Sequence, residues 1–168
     1  VTSGGYSTAV GAGAYFTNST GTNNTAIGRF SLRSSTGSNN VALGKDSGEA
    51  LSSGSQNIII GSNTGDQYPT TGSGNVLIGN NIDAAATDSA RTLKIAGYDG
   101  STTTTWISGD SSGNLTFAAN TTIGGNLIIG SATVTEAQLE VLDGATITTT
   151  ELNLIDGGTA RGTTAVAT

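Results

Sequence analysis

Gly21-Thr22-Asn23-Asn24-Thr25-Ala26-Ile27-Gly28 is followed by Gly37-Ser38-Asn39-Asn40-Val41-Ala42-Leu43-Gly44, and the phrase returns twice more. The later copies are Gly54-Ser55-Gln56-Asn57-Ile58-Ile59-Ile60-Gly61 and Gly72-Ser73-Gly74-Asn75-Val76-Leu77-Ile78-Gly79, and a degenerate copy, Gly4-Gly5-Tyr6-Ser7-Thr8-Ala9-Val10-Gly11, precedes all four. The closing glycines at 11, 28, 44, 61 and 79 lie 17, 16, 17 and 18 residues apart. A near-constant period with a constant internal grammar is the signature of a solenoid, in which each copy is one coil. No copy carries enough apolar residues to fold alone, so stacking must supply a continuous core.

Within the phrase, the apolar residue before each closing Gly (Val10, Ile27, Leu43, Ile60, Ile78) belongs to a short strand. Residues two apart share a face, so Thr8, Thr25, Val41, Ile58 and Val76 face with them. These larger residues are expected to form the core, with Ala9, Ala26 and Ala42 pointing the other way. Each closing Gly is expected where the chain turns with φ > 0 or passes close to another backbone. Asn24, Asn40, Asn57 and Asn75 recur in register and are expected to stack as a structural amide ladder.

The Asn-Thr-Ala-Ile-Gly and Asn-Val-Ala-Leu-Gly phrases resemble the head repeats of trimeric autotransporter adhesins and the related repeats of bacteriophage tail fibres. The resemblance covers about half the chain, Gly4 to Ile82. It implies a left-handed parallel β-roll with three chains side by side, whereas crossover rules alone favour the opposite hand. The family repeats are shorter, so the extra residues here are expected in longer loops at one corner of each coil.

Composition agrees with an elongated repeat protein. Of 168 residues 26 are Gly, with one Trp, one Pro and no Cys, Met or His. So few large apolar groups cannot fill a round core against the conformational entropy of a Gly-rich chain. The absence of Met suggests a processed product, a fragment or the ordered part of something longer. Six basic and twelve acidic residues give 6 − 12 = −6, with no basic patch for phosphates, which argues against nucleic-acid binding. No apolar run approaches the ~20 residues of a bilayer-spanning helix, so no membrane insertion is expected.

The chain reads as four sections: a β-roll rod of five copies at 1–82, a β-rich connector at 83–131, two 13-residue repeats at 132–157 and a tail or linker at 158–168. In the connector, Arg91–Gly97 and Thr102–Ile107 read as strands joined through Asp99-Gly100, with further strands at Leu115–Phe117 and Leu127–Ile129. Trp106 and Phe117 are expected to be its largest buried groups. The 13-residue repeats each combine a Thr-rich extended segment with a capping box, Thr135…Gln138 and Thr148…Glu151, that starts a short helix. Leu139 with Leu142, and Leu152 with Ile155, form apolar stripes that need partners, because helices so short are unstable alone. This second phrase also resembles a repeat of phage tail fibres.

Catalytic motifs do not assemble. Gly109-Asp110-Ser111-Ser112-Gly113 superficially resembles the nucleophile loop of trypsin-like proteases, but the chain has no His to act as base. Without Cys or His there is no ordinary zinc site, and no cofactor motif is present. The repeat loops carry Tyr15, Phe16, Arg29, Arg33, Lys45 and Tyr68, side chains that suit a receptor-contacting surface; the alternative is that Phe16, Phe30, Leu32 and Leu51 pack between chains. The sequence is therefore read as mostly β, an elongated homotrimeric non-enzymatic fibre segment of a virion. It would join other fibre or baseplate proteins and contribute to attachment to a host-surface glycan or protein. A bacterial trimeric adhesin or extracellular filament subunit is the alternative, and a polysaccharide-degrading tailspike a third reading.

Overall fold

The computed structural model describes residues 5–17, 20–68 and 70–124, together with the backbone of 127–129 and 132–134. The chain divides into two compact units, Val1–Asn120 and Thr121–Thr168. The Leu139, Leu142, Leu152 and Ile155 stripes lie outside the described residues. Every regular element among those residues is a strand, and the first unit contains a parallel β-solenoid of about five turns.

Each phrase contributes one three-residue strand: β1 (Thr8–Val10), β2 (Thr25–Ile27), β3 (Val41–Leu43), β4 (Ile58–Ile60) and β5 (Val76–Ile78). They pair in parallel and without slippage, so equivalent phrase positions fall in straight rows. The register continues past Ile82: β6 (Leu93–Tyr98) pairs in parallel with β5, Leu93 opposite Val76 and Ile95 opposite Ile78. Thus Thr92 occupies the ladder-Asn position without the phrase being legible there. β7 (Thr103–Gly109) and β8 (Leu115–Phe117) then add antiparallel, completing an eight-stranded sheet. In the second unit, β9 (Leu127–Ile129) and β10 (Ala132–Val134) form an antiparallel pair.

The coils turn at left-handed residues repeated in register. The closing glycines have φ from 126° to 147°. A Cβ on Gly11, Gly28, Gly44 or Gly61 would also overlap the carbonyl of the closing glycine one coil on, so both conformation and spacing demand Gly here. Two residues later the chain is left-handed again at Phe30, Asp46, Asn63 and Asn81, and four residues later at Tyr15 and Leu32. Left-handed backbone costs a residue with a Cβ roughly 1–2 kcal/mol. Coil-to-coil backbone bonds hold these corners, among them Asp46 N to Arg29 O and Asn63 N to Lys45 O, both 2.8 Å.

The strand facing corrects one expectation. Ala26, Ala42, Ile59 and Leu77 are fully buried in the coil interior, whereas Ile27 and Leu43 are exposed on the outside and Ile60 and Ile78 are only partly covered. The physical reason is room. The interior of a coil is narrow, and the loop wall already contributes Tyr15, Leu32 and Leu51 to the same cluster. Opposite those residues the strand can offer only Ala. Where the loop wall shrinks to Gly48 and Gly65, the strand residue grows to Ile59, whose Cδ1 sits where a Cβ on either glycine would approach to 3.2 Å. Leu32 and Leu51 therefore pack inside their own chain.

A buried amide column runs beside this core. Asn24 Oδ1 accepts from Asn40 N at 2.8 Å, Asn40 Oδ1 from Asn57 N at 2.9 Å and Asn57 Oδ1 from Asn75 N at 2.9 Å. The Nδ2 groups donate to Gly37, Gly54, Gly72 and Ser89 carbonyls at 2.7–3.1 Å. Each Asn thereby satisfies one buried N–H and one buried C=O that no strand partner can reach. Hydroxyl residues terminate the column: Ser7 Oγ accepts from Asn24 N, and Thr92 donates its N–H and hydroxyl to Asn75 Oδ1. A second hydroxyl row, Ser31 and Ser47, donates to the Ala42 and Ile59 carbonyls.

Candidate functional site

The loop side chains singled out in the sequence do not form one surface. Tyr15 is a correction: it is fully buried, donates its hydroxyl to Gly21 O at 2.9 Å and accepts from Asn24 Nδ2. Its left-handed backbone turns the ring into the coil, where it fills the space beside Ala26. Phe16 and Tyr68 are exposed. Arg29 and Arg33 both lie on the Phe30 ring, 4.3 and 4.6 Å from its centroid. Lys45 follows the next closing glycine and so stacks one coil from Arg29, bonded to Asn63 Oδ1 and paired with Asp46. Glu49 pairs with Arg33 at 3.2 Å. This basic corner is therefore largely neutralised by its own neighbours.

A different surface was missed. Trp106 and Phe117, expected in the interior of the connector, are more than half and half exposed respectively. The β6–β7 register slips between Ile95 and Ala96: Ile95 lies opposite Ile107 but Ala96 opposite Thr105, which leaves Trp106 as the extra residue of a β-bulge. A bulge re-aims the side chain it carries. The indole lies over Gly97, where a Cβ would come within 2.5 Å of the ring. Beside it, Tyr98, Asp99, Thr102 and Thr104 complete a depression of about 360 Å³.

Tyr98 also lines a second depression of about 350 Å³ with Ser62, Asn63, Asn80 and Asn81. These residues stand at and just after the closing-glycine corners of the fourth and fifth phrases. Asn80 Oδ1 accepts from Ser62 N at 2.7 Å, and Asn63 Oδ1 accepts from Lys45. The Nδ2 groups of Asn63 and Asn80 and the whole Asn81 amide have no partner among the described residues. Thr103 Oγ1 donates to Asn81 O at 3.4 Å, which ties the hairpin to this corner. Asp99 accepts from Ser101 N and Thr102 N, both at 2.8 Å. Those bonds hold its carboxyl below the usual carboxylate range. The turn thus presents a fixed acceptor next to the aromatic pair. A lone Trp in a Thr-rich strand was the only sequence signal, because neither the bulge nor the stacking of Asn63 near Asn80 can be read locally.

The acidic side chains elsewhere are dispersed. Asp66 is raised, first by burial and then by Asp83, while Asp110 is lowered, first by the Asn114 side chain and then by turn N–H groups. Among the described residues no cluster of His, Cys, Asp or Glu is placed to hold a metal ion. A cavity of about 500 Å³ opens where the coil interior ends, walled by Leu77, Ala84, Lys94, Ser108 and Thr116, with Lys94 Nζ donating to Asp83 O at 3.1 Å. No family model, curated protein or solved structure matches the chain.

Proposed function

We propose that this chain is a structural segment of a homotrimeric virion fibre that contributes to multivalent attachment to a host surface. The observation that carries the self-association is the outer face of the eight-stranded sheet. Val10, Ile27, Leu43, Ile60, Ile78, Ile95, Ile107 and Phe117 form one unbroken row, and Thr8, Thr25, Val41, Ile58, Val76, Leu93, Gly109 and Leu115 the row beside it. At a strand spacing of about 4.8 Å these rows run for roughly 34 Å without a charge. Exposed apolar patches of that extent mark association surfaces. An uncharged, repetitive face is complementary to its own copies, and three such faces around an axis bury one another.

The two phrase resemblances support placing the assembly on a virion, and three identical chains would present every exposed loop in triplicate. Weak single contacts then reinforce one another. The chain works as scaffold and contact surface, not as a catalyst. Light scattering tests the assembly: the purified chain should have the mass of three copies, and the double variant Leu43→Asp, Ile60→Asp should fall to one copy with its β-sheet circular dichroism retained. A stable, folded single copy of the unmodified protein would remove the reading.

A further inference from the structure

We infer that the groove formed by Trp106, Tyr98, Asn81, Asn80 and Asn63 binds a neutral oligosaccharide. This deepens the attachment reading by naming the ligand class and the residues, and it rests on that reading only for its biological role. Three features carry it. Two depressions of similar size share Tyr98 as a lining residue, an arrangement that suits successive units of a chain. One end offers two exposed aromatic rings, Trp106 and Tyr98, whose faces suit the C–H surfaces of a pyranose ring. The other end offers the free Nδ2 donors of Asn63 and Asn80, whose Oδ1 atoms are already engaged, and the whole Asn81 amide, which both donates and accepts; together they match vicinal hydroxyls.

The charge pattern selects against other ligands. No Lys or Arg lines either depression; Lys45 touches the site only through Asn63 Oδ1 and is paired with Asp46, and the one charged lining group is the Asp99 carboxylate, an acceptor for sugar hydroxyls that repels anionic substituents. The geometry is built, not incidental. The β-bulge aims Trp106, Gly97 leaves room for the indole against the β6 backbone, and Thr103 Oγ1 reaches Asn81 O at 3.4 Å. The indole is not part of the last core cluster of the coil, which consists of Leu77, Ile82, Ala84 and Ala96. Long cationic side chains are absent from the lining of both depressions, so little side-chain entropy is lost when a sugar docks on rings and short amides.

The test uses the full chain against an array of neutral hexasaccharides built from glucose, galactose and N-acetylglucosamine, with sialylated and sulfated counterparts. Because Trp106 is the only Trp, binding should also change the intrinsic fluorescence in a saturable way. Trp106→Ala and Tyr98→Ala should each weaken binding about ten-fold or more, since aromatic anchors carry most contact energy. Asn81→Ala should weaken it less, Trp106→Phe should restore part of it, and Gly97→Ala should impair it by displacing the indole. Circular dichroism and oligomer mass should be unchanged in all of them. Binding of no neutral glycan, undiminished binding by Trp106→Ala, or a changed oligomer mass in that variant would each overturn the assignment. So would exclusive binding of the sulfated or sialylated set, which would point to the Arg29–Arg33 corner instead. Cell adsorption separates the two readings: adsorption that survives Trp106→Ala overturns the groove and leaves attachment standing, and glycan binding without cell adsorption does the reverse.

Discussion

The two faces of the eight-stranded sheet begin alike and end differently. On the inner face the row reads Ala9, Ala26, Ala42, Ile59, Leu77 and then Lys94, Ser108, Thr116. It turns polar where the coil loops stop covering it and the cavity of about 500 Å³ opens in place of the core. On the outer face the row stays apolar to the last strand, ending in Ile95, Ile107 and Phe117. The inner face obeys the packing of its own chain. The outer face has no covering element of its own among the described residues, yet its composition is that of a covered surface. The difference teaches that residue size alone does not identify a core; what matters is which wall already supplies the volume.

The largest test of this contrast places a carboxylate on each face. Ile59→Asp buries an unpaired charge in the coil and should cost several kcal/mol, enough to remove the cooperative melt. Leu43→Asp puts the same group on the outer face and should leave the chain folded while weakening its association. Thermal unfolding with mass measurement distinguishes the two, and equal melting points would break the comparison. Next in size is Asn57→Ala. It strands Asn75 N–H and Gly72 C=O inside the coil, at about 1–3 kcal/mol for each unsatisfied group, to be read from denaturant midpoints. A cost below that of an ordinary surface change would mean that water enters the column.

A smaller effect is expected from Ala26→Ile, which adds volume opposite a loop wall that already contributes Tyr15 and Leu32. Overpacking of this kind costs roughly 1–3 kcal/mol, and calorimetry showing a gain instead would mean that the interior is loose. The smallest concerns pH. Asp99 and Asp110 have folded values below their unfolded ones. Their contribution is therefore present above the ordinary carboxylate value of about 3.9 and lost as pH falls through the lower folded value. Asp66, raised by burial, has the opposite sign: its contribution is present at low pH and lost as pH rises through its folded value. NMR titration should show the Ser101, Thr102, Ser112 and Asn114 amides moving only at the acid end, after Asp66 has protonated. Movement of these amides before Asp66 would contradict the bonding seen at the two turns.

Much of the coil was legible because its constraints are local and repeated. Each of the four full phrases closes on a Gly and carries its Asn one residue before the strand. The spacing of 16 to 18 residues leaves no other way to satisfy those constraints than to stack equivalent positions. The hairpin at Asp99-Gly100 was legible for the same reason, since turn chemistry acts over a few residues. The facing of Ile60 and the burial of Tyr15 were not. In coil two the volume comes from Leu32 on the loop wall opposite Ala26, and in coil four from Ile59 on the strand opposite Gly65. Either wall can supply the filling, and a strand pattern alone cannot say which.

The sequence by itself thus determined the repeat, its period, its left-handed glycine corners and the positions that must fall in rows. Only the tertiary structure decided which row lies inside, that Thr92 and Ser7 close the amide column, and that the slip at Ala96 turns Trp106 outward beside Tyr98 and Asn81. The reason is range. Backbone conformation and spacing are settled between near neighbours, whereas burial, ladder ends and the groove each depend on residues that meet only when one coil is laid on the next.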